Sequence, residues 1–215
     1  MKHILCFGDS NTWGFVPGSG HRYDEHTRWT GVLADALGPD WSVHEDGLNA
    51  RTTVFTDPFK PYLVGLDTLP ASLVSQKPLD ILILSLGTND LKYANAARSA
   101  NGMEALIHRA QSMDVQYPAG TPVFKNGPKL LVISPILLDE TLPSLNPYSD
   151  LAGGVAQSRL FPERFAATCK ACGVEMLDAQ LYAEPSKVDG IHMMPDAHQA
   201  LGLAVAEKLR QMLTD

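Results

Sequence analysis

The sequence predicts an α/β fold, a three-layer α/β/α sandwich built around a central, mostly parallel, five-stranded sheet. Strand-length and helix-length segments alternate along the whole chain, as they do when parallel strands are joined by helical crossovers. Residues 81–84 and 130–133 are uninterrupted apolar runs, which are typical of parallel strands covered on both faces. The C-terminal segment carries apolar or small side chains at helical spacing, which indicates a helix packed against such a sheet.

The elements follow one another in a regular order. Strands are predicted over residues 3–7, 42–46, 80–86, 129–134 and 174–177. Helices are predicted over residues 27–37, 69–76, 96–115, 156–172 and 195–213, and Pro195 suits the first turn of the last one. Because no repeat or linker divides the chain, we predict a single domain over residues 1–215. The irregular stretch 136–154, which contains Pro143 and Pro147, is long enough to be expected at a functional site or an interface.

Composition and charge exclude several classes of partner. The net charge of −7 over 215 residues argues against nucleic acid and against an anionic membrane surface, which both select basic patches. No apolar run has the length of a signal peptide or a membrane span, so we expect a cytoplasmic protein. No metal-binding or nucleotide-binding motif is present, and we expect no cofactor. The Cys169-Lys170-Ala171-Cys172 motif is interpreted as two reduced cysteines rather than as a metal or redox site.

The N-terminal motif Gly8-Asp9-Ser10 places a serine directly after an apolar strand. In open α/β sheets, the carboxyl ends of the strands form the ligand-binding edge. A serine at that edge can act as a nucleophile if a general base and an oxyanion hole accompany it. Asp9 is adjacent to Ser10 on an extended segment, so we expect its side chain to point away and to play a structural role.

Asp189-Gly190-Ile191-His192 supplies a candidate base for Ser10. A tight turn at Gly190 would aim the Asp189 carboxylate at His192 Nδ1 and leave Nε2 free to accept the serine proton. The alternative is a capping turn in which Asp189 only satisfies backbone amides. The other six histidines, including His198 on the last predicted helix, are interpreted as surface or structural residues.

Three groups are candidate donors to an oxyanion: the amide of Ser10, the amide of Gly47 and the side-chain amide of Asn89. Glycine at position 47 would let the backbone approach a ligand closely. The alternative is that Gly47 and Asn89 are ordinary turn residues.

Taken together, these blocks resemble the SGNH (GDSL) hydrolase family. Gly8-Asp9-Ser10, Gly47, Gly87-Thr88-Asn89-Asp90 and Asp189-Gly190-Ile191-His192 occur in the order of the family's blocks and span nearly the whole chain. The resemblance implies a flavodoxin-like sandwich in which Ser10 is the nucleophile, His192 the base, Asp189 its orienting acid, and Gly47 and Asn89 oxyanion donors. Asn11 occupies a position where many members carry a different residue.

The similarity is closer to small intracellular arylesterases and acyltransferases of this family. Four segments carry it, which are Cys6-Phe7-Gly8-Asp9-Ser10-Asn11-Thr12-Trp13-Gly14, Arg28-Trp29-Thr30-Gly31-Val32-Leu33, Gly47-Leu48-Asn49-Ala50-Arg51-Thr52-Thr53 and Asp189-Gly190-Ile191-His192. It implies a small-molecule ester substrate with a short acyl chain, transfer to alcohols as well as to water, and a homo-oligomer.

The residues predicted to contact substrate are uncharged, which favours a neutral ester; they are Trp13, Leu48, Leu91, Ile191 and Met193. We therefore predict a serine esterase that acts through an acyl-enzyme. The alternatives are a carbohydrate acetylesterase, a thioesterase or lysophospholipase, and a catalytically silent binding protein on the same scaffold.

Overall fold

The computed structural model describes residues 1–116, 120–146 and 149–214, and its core is one parallel sheet of five strands. The strands lie in the order β2-β1-β3-β4-β5. Their bounds are β1 Lys2–Gly8, β2 Trp41–Gly47, β3 Ile81–Ser85, β4 Leu130–Ser134 and β5 Glu175–Asp178. The order changes direction next to β1, and the resulting crevice at the carboxyl ends of β1 and β3 is where open α/β sheets bind ligands. The predicted α/β fold is confirmed.

Eight α-helices occur within the described ranges. They are α1 Ser10–Trp13, α2 Trp29–Leu37, α3 Gly65–Gln76, α4 Ala96–Gln116, α5 Leu142–Leu145, α6 Val155–Ser158, α7 Phe161–Cys172 and α8 Pro195–Thr214. Short 3₁₀ helices cover Pro61–Leu63, Thr88–Lys92, Ala152–Gly154 and Ala179–Leu181.

One predicted helix is wrong: the segment 156–172 is two helices, α6 and α7, rather than one. Pro162 lies in the first turn of α7. A proline has no amide hydrogen to donate to the preceding turn, so it is tolerated at a helix start and interrupts a helix interior. The α3 helix also begins four residues earlier than predicted, at Gly65 rather than residue 69.

The helices cover both faces of the sheet. On one face, α3, α4 and α7 pack against the side chains of Leu5, Phe7, Leu82 and their neighbours. On the other face, α2 and α8 pack against Ile4, Cys6 and the alternate residues of the same strands. Because successive side chains of a strand point to opposite faces, each continuous apolar run contributes to both cores.

The long segment 136–154 is partly ordered into α5 and the 3₁₀ helix Ala152–Gly154. Its start is tied to the segment around Asp189, because the Asp139 amide donates a hydrogen bond to the Gly190 carbonyl (2.9 Å). Pro147, which the sequence analysis named in this loop, lies outside the described residues. No helix in the described ranges is both long and apolar enough to cross a bilayer.

Candidate active site

Ser10 is the first residue of α1, immediately beyond the carboxyl end of β1. Asp9 caps this short helix, and its carboxylate accepts a hydrogen bond from the Asn11 amide (3.0 Å). The side chain is thus used within the turn, as expected for a structural residue. Burial raises the pKa of Asp9 to about 6, against the lowering effects of the Asn11 amide and the nearby His192.

Ser10, His192 and Asp189 form a continuous chain of hydrogen bonds. Ser10 Oγ lies 2.9 Å from His192 Nε2, and His192 Nδ1 lies 2.8 Å from Asp189 Oδ2. The ring of Phe15 stacks on the imidazole with 4.2 Å between the ring centroids. This is the arrangement in which a histidine accepts a proton from serine while a carboxylate holds its tautomer.

The Asp189 turn combines capping and orientation, which the sequence analysis had treated as alternatives. Asp189 Oδ1 accepts hydrogen bonds from the amides of Ile191 and His192, each at 3.0 Å, and from Ser186 Oγ at 3.0 Å. Gly190 provides the left-handed backbone conformation, with φ of 72°. Burial alone raises the pKa of Asp189, but the hydrogen bonds from the His192 side chain and backbone outweigh it, so that the pKa is lowered to about 2. The carboxylate is therefore charged at neutral pH.

Asn89 reaches the same cleft from the 3₁₀ turn after β3. One hydrogen of its side-chain amide is donated to the Arg51 carbonyl (3.2 Å), which holds the amide group in place. Since the NH₂ group has two hydrogens, the second is available to a ligand.

Gly47 ends β2 but is not among the residues that line the cleft in the described part of the chain. A Cβ on Gly47 would lie 2.2 Å from the Trp13 nitrogen and 2.6 Å from the Thr12 carbonyl carbon. The close approach that requires glycine here is between β2 and the helix that carries Ser10. The role of the Gly47 amide as an oxyanion donor remains a proposal.

Arg51 connects these blocks and received no role in the sequence analysis. It is 4% exposed, and its guanidinium donates to the Gly8 carbonyl (2.9 Å) and to Asp46 Oδ1 (2.8 Å). It also lies over the Phe7 ring, 3.9 Å from the ring centroid. The Arg51 carbonyl accepts the hydrogen bond from Asn89 described above. Arg51 therefore connects the ends of β1 and β2 to Asn89, the candidate side-chain donor to the oxyanion.

The cleft at Ser10 has a volume of about 370 Å³. Besides the residues already placed there, its wall includes the apolar residues Ala50 and Leu151. It also includes five polar or charged residues, which are Asn49, Thr88, Lys92, Ser149 and Asp150. The wall is thus not uncharged, contrary to the prediction that favoured neutral substrates.

Of the five residues predicted to contact substrate, Ile191 lines this cleft and the other four do not. Leu91 and Met193 are buried in the two apolar cores, on opposite faces of the sheet. Trp13 instead lies beside the guanidinium of Arg22, and the Leu48 amide donates to the Gly8 carbonyl. These residues lie in turns and short helices, where successive side chains point in different directions, so adjacency to a site residue does not place a side chain in the pocket.

Comparison with known proteins agrees with this geometry. Residues 6–200 match the GDSL-like lipase/acylhydrolase family. The chain belongs to this family. The predictions of an SGNH hydrolase and of a carboxylic ester hydrolase are therefore confirmed.

Solved structures of this family resemble the chain over its whole length. An aryl esterase from M. smegmatis is 36% identical, with 98% of this chain and 99% of that chain covered and a TM-score of 0.89. A carbohydrate acetylesterase from Sinorhizobium meliloti is 33% identical, with coverage of 99% and 100% and a TM-score of 0.91. A search of curated proteins finds no match.

Asn11 is a residue of this GDSL-like hydrolase whose contribution the sequence analysis missed. Its side-chain oxygen accepts the Met193 amide (3.0 Å), and its side-chain nitrogen lies 3.5 Å from the Ile191 carbonyl. These two partners flank His192, so Asn11 attaches the histidine segment to the helix of Ser10. The signal was present as an asparagine directly after the serine, but its partners lie 180 residues or more away.

We expect Asn11→Leu to lower kcat about tenfold to a hundredfold with little change in KM. Leucine keeps the branched shape of asparagine, although it is larger, and leaves the Met193 amide without its acceptor, so His192 is held less firmly against Ser10. Steady-state kinetics on an aryl acetate measure the effect, with Asn101→Leu on the exposed face of α4 as a matched control. An unchanged kcat in Asn11→Leu would show that the hydrogen bonds of Asn11 do not position His192.

The remaining histidines do not reach Ser10. His198 is fully buried, and its Nδ1 accepts the Trp29 amide at 3.2 Å. Burial lowers the pKa of His198 to about 4, so it is neutral at physiological pH. His3 and His44 stack on each other at the opposite end of the sheet, with 5.5 Å between ring centroids.

Proposed function

We propose that the protein is a serine esterase of small carboxylic esters, with Ser10 as nucleophile, His192 as general base and Asp189 as the group that orients the imidazole. The observation that carries the proposal is the hydrogen-bond chain from Ser10 Oγ through His192 to Asp189, at the wall of an open cleft. The three groups have the geometry that nucleophilic catalysis by serine requires.

In the proposed reaction, Ser10 Oγ attacks the ester carbonyl carbon while its proton moves to His192 Nε2. The tetrahedral intermediate collapses, the bond to the alcohol breaks, and His192 returns the proton to the leaving oxygen. Water, or a competing alcohol, then attacks the acyl-enzyme with His192 again as base and releases the acyl group. The charged Asp189 stabilises the imidazolium at each of these steps.

The negative charge on the carbonyl oxygen needs donors fixed in advance. We propose that the Ser10 amide, the Gly47 amide and the free hydrogen of the Asn89 side chain supply them. Asn89 is supported by its position in the cleft and by the hydrogen bond to Arg51 that holds it. Donors held in this way do not need to reorganise when the charge develops.

The substrate class is inferred from the cleft and the relatives. A cleft of about 370 Å³ is at the small end of ligand sites, which supports a short acyl chain. The similarity to an aryl esterase supports aryl esters as test substrates.

A series of p-nitrophenyl esters tests this assignment. We expect kcat/KM to be highest for the acetate and to fall through the butyrate to the octanoate, because the longer chains exceed the available volume. An increase toward the octanoate would instead support a thioesterase or lysophospholipase.

A carbohydrate acetylesterase is the second candidate. Asn49, Lys92 and Asp150 place donors and an acceptor in the cleft wall, which suits an alcohol that carries several hydroxyl groups. The similarity to a carbohydrate acetylesterase supports it. Acetate release from a fully acetylated sugar, compared with p-nitrophenyl acetate in the same preparation, separates the two candidates.

We also propose that the chain forms a homo-oligomer. Phe59 and Tyr62, on the segment between β2 and α3, are 90% and 59% exposed, and exposed aromatic side chains are enriched at protein interfaces. Light scattering coupled to size-exclusion chromatography should give a mass that is a multiple of 23.3 kDa. A mass equal to one chain would contradict this proposal.

A further inference from the structure

Three potential metal ligands converge on the helical layer formed by α4 and α7, away from the esterase cleft. They are the Glu104 carboxylate, the His108 imidazole and the Cys172 thiol, and their ligand atoms all lie within 4.8 Å of one another. His108 Nε2 is 3.7 Å from Glu104 Oε1 and 4.0 Å from Cys172 Sγ. None of the three lines the cleft at Ser10.

The convergence follows from helix geometry and from the packing of α4 against α7. Glu104 and His108 are four residues apart on α4, so their side chains lie on one face of that helix. Cys172 is the last residue of α7, and its carbonyl accepts a hydrogen bond from Gln111 Nε2 (3.3 Å), one turn beyond His108. The two helices are therefore joined at the point where the three side chains meet.

The Cys-x-x-C motif is divided between two environments. Cys169 is 2% exposed and packs in the apolar core, whereas Cys172 is partly exposed and faces α4. From the sequence alone, a metal site is an alternative only for the two cysteines together. The structure instead brings Cys172 to a histidine and a glutamate that are more than 60 residues away in sequence.

The donor set suits zinc better than the oxygen-binding cations. Zn²⁺ takes thiolate, imidazole and carboxylate ligands in tetrahedral sites, whereas Mg²⁺ and Ca²⁺ select oxygen ligands. Bonds of about 2.0–2.3 Å in a tetrahedron separate the ligand atoms by roughly 3.3–3.6 Å. The two measured separations, 3.7 Å and 4.0 Å, are slightly longer than this, and no pair of ligand atoms is more than 4.8 Å apart. The side chains of Glu104 and His108 are about half exposed, so rotation into a metal-bound geometry meets little obstruction.

We propose that Glu104, His108 and Cys172 form a Zn²⁺ site with an open fourth position, which links α4 to α7. Binding forms a bond from Cys172 Sγ to the metal and releases the thiol proton to solvent.

Isothermal titration of the reduced, chelator-treated full chain with ZnCl₂ tests the proposal. We expect one zinc ion per chain, with affinity reduced about tenfold or more in His108→Ala and in Cys172→Ser, because each loses a direct ligand. His26→Ala is the matched control, since His26 is also an exposed histidine but pairs with Asp35 at a distant place. Esterase activity, which does not depend on these residues, reports that each variant is folded.

Cobalt gives a second measurement that depends on the thiolate itself. Titration with Co²⁺ should produce a thiolate-to-metal charge-transfer absorption that Cys172→Ser abolishes. If that variant does not fold, the double variant Glu104→Gln/His108→Gln, which changes only exposed side chains, should abolish tight zinc binding. Zinc affinity that is unchanged in these variants, or the lack of any saturable binding, would overturn the proposal.

Discussion

Replacement of Ser10 by alanine is expected to lower kcat for p-nitrophenyl acetate by about 10⁴- to 10⁶-fold. The substitution removes the oxygen that lies 2.9 Å from His192 Nε2, so no acyl-enzyme can form. What activity remains would come from binding and oxyanion stabilisation alone. The Ser10 side chain is small and borders an open cleft, so the fold should tolerate alanine.

A control variant and a covalent probe distinguish loss of the nucleophile from a general loss of structure. Ser75→Ala, on the exposed surface of α3, is the matched control and should retain full turnover. A fluorophosphonate probe should label the wild-type chain and Ser75→Ala but not Ser10→Ala. Turnover within tenfold of wild type in Ser10→Ala would sink the assignment of the nucleophile and revive the catalytically silent binding protein.

Replacement of Asp189 by asparagine is expected to lower kcat by about 10⁴-fold with a small effect on KM. The asparagine oxygen can still accept the amides of Ile191 and His192, so the turn is retained. Its NH₂ group, however, would face His192 Nδ1 and favour the tautomer with hydrogen on Nε2. That tautomer cannot accept the proton of Ser10.

The matched control is Asp67→Asn, an exposed acidic residue in the first turn of α3. It should leave kcat unchanged. The effect of Asp189→Asn should appear in kcat rather than in KM, because substrate does not contact the Asp189 carboxylate. A loss of less than tenfold would show that Asp189 acts only as the cap of its turn.

The N-terminal serine and the C-terminal histidine also show how far local sequence reasoning extends. Gly8-Asp9-Ser10 was readable because an apolar strand that ends in glycine exposes the next residues at the sheet edge. The contact between Asp189 and His192 could be predicted because the two residues are three positions apart, and a tight turn at Gly190 is enough to bring their side chains together. Both inferences depend only on residues that are close together in the chain.

The pocket residues and the links between blocks could not be read in the same way. Arg51 binds Gly8 and Asp46 at once, and Asn11 binds backbone groups on both sides of His192, across 180 residues or more. Neither hydrophobic periodicity nor motif spacing in the sequence indicates contacts between residues so far apart. Leu91 and Met193 fail as pocket residues for a related reason, since the direction of a side chain depends on the backbone turn that carries it.

The sequence by itself determined the layered α/β fold, since apolar runs and helical stripes depend only on which residues can be buried. It also determined the chemistry available at the sheet edge, since a serine, an Asp-x-x-His turn and an amide-bearing turn after β3 are local features. The tertiary structure alone decided that Ser10, His192 and Asp189 lie within hydrogen-bond distance, that charged groups share their cleft, and that Cys172 meets His108. Those facts depend on how distant segments pack, and packing is a property of the whole chain rather than of any one segment.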